Sequence, residues 1–380
     1  MKIITALVLQ LIYFKNYVES IPIYSAKHTM KFIKEAGYYA EEHSVTTEDG
    51  YKLKMFRIPG LEGSKPVFLQ HGLFASSNTW VISGKESLAF ALSDKGYDVW
   101  MGNFRGNIYS KSHINLDQKD EEYWDYSFHE MGIYDLPAMI NYITESTQQK
   151  LIYFGFSLGC TTFFVMASKI PEMSSKISVA ILIAPVAYLS NMLGFFEKNV
   201  ILRGVKYALN HPRISNDMFE NSFQLRQKNK ELILDSNFAL KLMQCGQTHF
   251  KEIYLKSIKC ELNGGSSLKN INHLLQQMTQ NELSYYDYGS DENLKIYNQE
   301  NPKIYNLTKI KIPIVLFHSK GDELTQKKDF EKLTSKLLNI NENVEINSKK
   351  ICHLDLVWGK NVTKTVNDPL FKILNKINKN

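Results

Sequence analysis

Cysteine is scarce in this chain, four residues among 380, too few for a disulfide scaffold to replace a hydrophobic core. Glycine and proline number only 20 and 10, which excludes a collagen-like or low-complexity chain. Charge of one sign is not in large excess. Lysine and arginine total 45 against 39 aspartates and glutamates, and the net +6 is spread along the chain, so no footprint for nucleic acid is expected. The metal-ligand spacings H-E-x-x-H and C-x-x-C are missing, as are G-x-G-x-x-G and the P-loop, so neither a metal nor another cofactor is expected. Internal repeats and Pro- or Ser-rich linkers are also missing. What the chain does have is aromatic: 21 Tyr, 21 Phe and 4 Trp, material for a large core that excludes intrinsic disorder.

One long apolar run stands at the N-terminus. Lys2 precedes Ile3–Phe14, and Val18-Glu19-Ser20 offers small residues to a signal peptidase, so residues 1–20 read as a secretory signal peptide. The run stops at Lys15, short of the roughly 20 residues that span hydrocarbon, and no second run of that length follows, so no transmembrane segment is expected. Export agrees with two glycosylation sequons, Asn306-Leu307-Thr308 and Asn361-Val362-Thr363. It also permits disulfides among Cys160, Cys245, Cys260 and Cys352. Cys160 follows a motif that should be buried and Cys352 abuts a residue needed for chemistry, which leaves Cys245–Cys260 as the expected bridge.

From residue 44 the chain alternates short β-rich runs with helices. Ser44–Glu48 and Tyr51–Ile58 flank Asp49-Gly50, a hairpin signal. Strands are expected at Pro66–Gln70, Tyr97–Met101, Leu151–Phe154, Val179–Ala184 and Ile312–His318. Helices are expected at Thr29–Ala36, Ser87–Lys95, Leu136–Ser146, Thr161–Ile170 and Phe330–Leu338. Such alternation calls for an α/β fold, a mostly parallel sheet flanked by helices on both faces. Residues 188–307 break the rhythm, rich in Asn, Lys and Gln with scattered Leu, Phe and Met, and read as an inserted helical cap or lid between core segments 21–187 and 308–380.

Gly155-Phe156-Ser157-Leu158-Gly159 follows an expected strand and opens a helix, the context in which G-x-S-x-G lifts a nucleophilic serine out of a sheet. The helix N-terminus behind it favours developing negative charge. Serine needs a base, and the base an orienting carboxylate, in the chain order Ser, Asp or Glu, His. Asp322 lies in the loop after strand 312–318, where ligands bind in open α/β sheets, with Glu323 as its rival. Of ten histidines only His353 lies beyond Asp322; His113, His129, His211, His249 and His273 read as surface or packing residues. His71-Gly72-Leu73 follows strand 66–70, so the Leu73 and Leu158 amides are the expected oxyanion donors.

Several segments together resemble the acid lipase family, whose members include gastric and lysosomal acid lipases and many insect relatives. They are Phe68–Leu73, Gly96–Asn103, Arg105-Gly106-Asn107, Asp135-Leu136-Pro137-Ala138, Tyr305–Thr308 and His353–Gly359. The resemblance implies an α/β-hydrolase core with a helical cap, Ser157 as nucleophile, Asp322 as orienter and His353 as base. It further implies hydrolysis of long-chain lipid esters at an oil–water or membrane interface, by a secreted or lysosomal enzyme. Small-ester hydrolysis and catalytically silent lipid binding are the alternatives. Two departures stand out. The family elbow usually reads Gly-His-Ser-Gln-Gly, where this chain has Phe156 and Leu158. The family's cap bridge would need a cysteine upstream of Cys245, where Asp235 and Ser236 stand.

Overall fold

A computed structural model describes residues 28–192, 223–226, 231–234, 245, 249–262 and 264–377. The proposed signal peptide, His211, Asp235 and Ser236 lie outside the described residues. The described residues open with helix α1 (Thr29–Glu35) and an antiparallel pair, β1 (Glu41–Thr46) and β2 (Tyr51–Ile58). The hairpin signal at Asp49-Gly50 marks a true turn, but residues 47–50 form a four-residue loop, closed by Thr47 N–H to Tyr51 O at 2.8 Å with Gly50 at φ 97°.

Then come β3 (Pro66–Gln70), α2 (Leu88–Asp94), β4 (Asp98–Gly102), the two-residue β5 (Ser112–His113), α3 (Leu136–Thr147), β6 (Leu151–Phe156), α4 (Leu158–Lys169) and β7 (Ile177–Ile183). After the insertion the sheet resumes with β11 (Ile314–Ser319), α8 (Lys327–Lys336) and β12 (Ile340–Ile346), before α9 (Asp355–Trp358) and α10 (Asp368–Ile377). The strand order is β1-β2-β4-β3-β6-β7-β11-β12, with β5 beside β2. From β4 to β12 every pairing is parallel.

Residues of β3, β4, β6 and β11 are all buried, which explains their continuous apolar runs: helices cover both faces, so no alternation survives. One core cluster packs Trp80, Phe90, Phe154 and Phe317 on one side of the sheet. The other packs Trp100, Trp124, Phe163 and Leu316. Arg105, 2% exposed, ties the hairpin to the second layer, its guanidinium donating to Asp49 at 2.6 and 2.9 Å and to Asp135 at 2.7 Å.

The described part of the insertion is helical in α5 (Glu252–Glu261), α6 (Leu268–Thr279) and α7 (Ser290–Tyr297). It also carries β-structure that the sequence reading does not anticipate. Strands β8 (Phe223–Arg226), β9 (Glu231–Leu234) and β10 (Ser266–Ser267) form a small antiparallel sheet in the order β10-β9-β8. Among the described residues no helix is long and apolar enough to cross a membrane.

Candidate active site

Ser157 stands alone between the last residue of β6 and the first of α4, with φ 54° and ψ −113°. Side chains rarely adopt that backbone conformation, and its persistence requires neighbours that over-determine it. The Ser157 N–H donates to Ile183 O at 3.1 Å, and its carbonyl accepts from Cys160 N–H at 2.9 Å. Gly159 supplies the close approach: a Cβ there would meet the Gln70 carbonyl oxygen at 2.5 Å. Gly155 is nearly as tight, with backbone atoms of Gly159 and Cys160 at 3.0 Å from a Cβ. The two glycines of the motif thus let strand, turn and helix close on one another.

The β11 end brings the carboxylate. Asp322 follows the strand in a turn closed by its own N–H to Ser319 O at 3.2 Å, and it is 3% exposed. His353, fully buried, places Nδ1 2.8 Å from Asp322 Oδ2. Asp322 Oδ1 accepts from the Leu324 N–H at 2.9 Å. Burial pushes the Asp322 carboxyl up, but the His353 charge and hydrogen bond, with the Leu324 N–H, bring it below the usual aspartate range. Glu323, the rival by one position, instead accepts from Gln326. His353 Nε2 is buried and has no hydrogen-bond partner among the described residues. Its ring lies 5.1 Å from that of Phe156, the residue before Ser157. Hydrogen bonds between a base and its nucleophile commonly tighten only when substrate is bound.

The strand-end loop after β3 closes the site. A Cβ on Gly72 would lie 3.1 Å from Ser157 Cβ, so this loop packs directly on the serine turn. His71 fixes the loop from beneath. Its Nδ1–H donates to Gly72 O at 2.8 Å, and its Nε2 accepts from Phe104 N–H at 3.2 Å and Asn107 Nδ2 at 3.1 Å. Burial pushes the ring pKa down to about 4, so this imidazole is a neutral brace. Leu73 N–H is left without a hydrogen bond among the described residues, and Leu158 is the first residue of α4, where helix N–H groups lack intrahelical partners.

The expected Cys245–Cys260 bridge is overturned. Cys245 is bonded to Cys352, with Cα atoms 5.6 Å apart across a sequence separation of 107. Proximity to His353 does not exclude Cys352 from a bridge; it lets the bridge tie the insertion to the histidine loop. Cys160 is a free, buried thiol. His249, Cys352 and Asp355 gather within 4.8 Å, but the Cys352 sulfur is already used by the disulfide. Asn306 and Asn361 are both exposed. His113 bonds to the Asp49 carbonyl and His273 sits between Ser127 and Ser284. His129 contacts Tyr305, and His249 pairs with Asp355 at 2.6 Å.

This arrangement of sheet, serine turn and His–Asp pair defines an α/β hydrolase. Residues 65–356 match the α/β hydrolase fold, and residues 29–84 match a partial α/β-hydrolase lipase region. "Lipase 1" of Drosophila melanogaster is 34% identical over 355 residues, covering 91% of this chain and 79% of that one. Gastric triacylglycerol lipase of Bos taurus is 32% identical over 365 residues, covering 92% and 91%. The α/β hydrolase GrgF from a Penicillium shares the fold at a TM-score of 0.55 and 14% identity, over 90% of this chain and 98% of that one. The chain belongs to the acid lipase family of α/β hydrolases. It is an enzyme of the lipase, ester-hydrolysing class.

Proposed function

We propose that this protein hydrolyses carboxylic esters of neutral lipids, triacylglycerol or cholesteryl ester, through a serine acyl-enzyme. The observation that carries this reading is the buried His353–Asp322 pair, 2.8 Å apart, beside a serine held at positive φ on a strand-to-helix turn. Ser157 Oγ attacks the ester carbonyl while His353 Nε2 takes its proton. Asp322 holds the imidazole tautomer and balances the imidazolium charge. The Leu73 and Leu158 amides donate to the oxyanion, where one donor is worth roughly 3–4 kcal/mol. The intermediate collapses as His353 protonates the departing alcohol. Water, deprotonated by the same imidazole, then releases the acid and restores Ser157.

The lipid preference rests on the lipase relatives, one of them named a triacylglycerol lipase, and on the insertion at 188–307, which we read as a lid between core segments 21–187 and 308–380. The apolar N-terminus, the disulfide and the exposed Asn306 and Asn361 support export and glycosylation, to the exterior or the lysosomal lumen. The test uses protein expressed from the full sequence in an exporting host, on emulsified triolein and on a soluble short-chain ester. Wild type should hydrolyse triolein, and Ser157→Ala should lose on the order of 10⁴-fold or more while keeping its fold. Turnover of the short ester alone would favour a small-ester esterase. A folded wild-type protein inactive on both would favour a lipid-binding scaffold.

A further inference from the structure

Glu261, the last residue of α5, is 2% exposed and has no cationic partner among its hydrogen bonds. Its carboxylate instead reaches out of the insertion into the loop that follows Leu73. Oε1 accepts the Ser76 N–H at 2.5 Å, the Thr79 N–H at 3.2 Å and the Thr79 hydroxyl at 3.1 Å. The Ser76 hydroxyl lies 3.0 Å from Oε1 and 2.9 Å from Oε2. Burial pushes this carboxyl above its ordinary pKa, and the Ser76 and Thr79 donors pull it part of the way back.

Only Phe74 and Ala75 separate Leu73 from Ser76. Phe74 is at φ 57°, an unfavourable backbone for a bulky side chain, and it is pinned from the insertion as well. Gly264 N–H donates to the Phe74 carbonyl at 2.9 Å, and a Cβ on Gly264 would sit 2.5 Å from that oxygen. Thr79 also meets the histidine segment: Trp358 Nε1–H donates to its carbonyl at 3.0 Å. The loop carrying the Leu73 amide is therefore fixed by its neighbours on two sides, and Glu261 is the charged group among them.

We infer that Glu261 is a positioning residue, through which the insertion holds the Leu73 oxyanion donor at the distance the reaction needs. This rests on the reading of Leu73 as a donor given above. An ordinary anchoring role would change how much protein folds, whereas a positioning role changes how well each folded molecule stabilises the oxyanion. The two separate in kcat and in affinity for an oxyanion mimic.

The experiment compares Glu261→Gln, Glu261→Ala and Glu261→Asp in the full-length protein, with Ser157→Ala alongside. kcat and KM are measured on p-nitrophenyl butyrate, together with inhibition by a trifluoromethyl ketone and thermal melting. Glutamine keeps an oxygen for both backbone N–H groups and can donate to the Ser76 hydroxyl, so its kcat should stay within about threefold of wild type. Alanine, which removes the carboxylate, and aspartate, one methylene short, should lose about 30- to 100-fold in kcat with KM nearly constant. The ketone should weaken in proportion to the loss in kcat/KM. Wild-type kcat in folded alanine and aspartate variants overturns the proposal, as does a glutamine variant as impaired as alanine. Failure of both Ala and Asp variants to fold also overturns it, by assigning Glu261 to the fold. Full activity of Ser157→Ala would instead remove the catalytic reading itself, an outcome none of the Glu261 variants can produce.

Discussion

Cys245 of the insertion is covalently bonded to Cys352, the residue immediately before His353. Two further links join the same partners: His249 Nδ1 to Asp355 Oδ2 at 2.6 Å, and Lys360 N–H to His249 O at 3.1 Å. Asp355 Oδ2 also accepts the Cys352 N–H at 2.8 Å, so the loop bearing His353 is stitched to the insertion by a disulfide, a side-chain hydrogen bond and a backbone hydrogen bond.

The bridge closes a long loop, and a cross-link of that span limits the unfolded chain most strongly. The double variant Cys245→Ser/Cys352→Ser should lose about 2–4 kcal/mol in urea unfolding measured without reductant. Unchanged stability would mean the bridge does not form in the native enzyme.

Ser157 keeps a Cβ in a backbone region that glycine occupies freely. Ser157→Gly should be inactive yet more stable than Ser157→Ala by about 1 kcal/mol, the relieved strain exceeding glycine's extra chain entropy. Chemical denaturation of the two variants side by side decides it; equal or lower stability for glycine would refute stored strain at the turn.

Gly159→Ala is expected to fail for the opposite reason. The new methyl would face the Gln70 carbonyl at 2.5 Å and the His71 carbonyl at 3.1 Å, and both are backbone atoms that cannot rotate away. The substitution should cost about 3 kcal/mol and displace the serine turn from the His71-Gly72-Leu73 loop, lowering kcat. A stable, fully active Gly159→Ala enzyme would show the approach to be looser than the structure gives it.

His71 predicts a pH dependence of fixed sign. Its pKa is pushed down to about 4 by burial, against 6.5 for an ordinary histidine. Well above pH 6.5 the ring is neutral whether folded or unfolded and contributes no slope. Between 6.5 and about 4 the unfolded chain takes up a proton that the folded protein refuses, so stability falls on acidification by up to about 1.4 kcal/mol per pH unit. Urea titrations from pH 7.5 to 4 should show wild type losing on the order of 3 kcal/mol more than His71→Gln. Parallel curves would mean that the ring is not held neutral.

The central strands were legible because burial on both faces leaves a continuous apolar run, as in Pro66–Gln70 and Ile314–Ser319. The edges were less so. Ile340–Ile346 reads INENVEI and is alternately half-buried and exposed, and its polar half hides most of a strand that pairs parallel with β11. Helix α4 starts at Leu158, three residues before the expected Thr161, since the serine turn leads straight into it. The insertion's small sheet leaves no local signal for another reason. Its third strand, Ser266–Ser267, is two residues long and pairs with Glu231 and Leu232 far back in the chain.

Ser157 and Asp322 can be singled out because each follows a strand, β6 or β11, whose apolar run is strong, and His353 because it is the one histidine beyond Asp322 in the chain. The Cys245–Cys352 bond, the neutral His71 brace and the reach of Glu261 to Ser76 and Thr79 carry no local signature. They depend on which segments the sheet order and the insertion bring within a few ångströms. Local pattern reports the backbone state of neighbours in sequence. Disulfide partners, buried charges and hydrogen-bond acceptors are chosen by distance in space, which appears only after the chain has closed on itself.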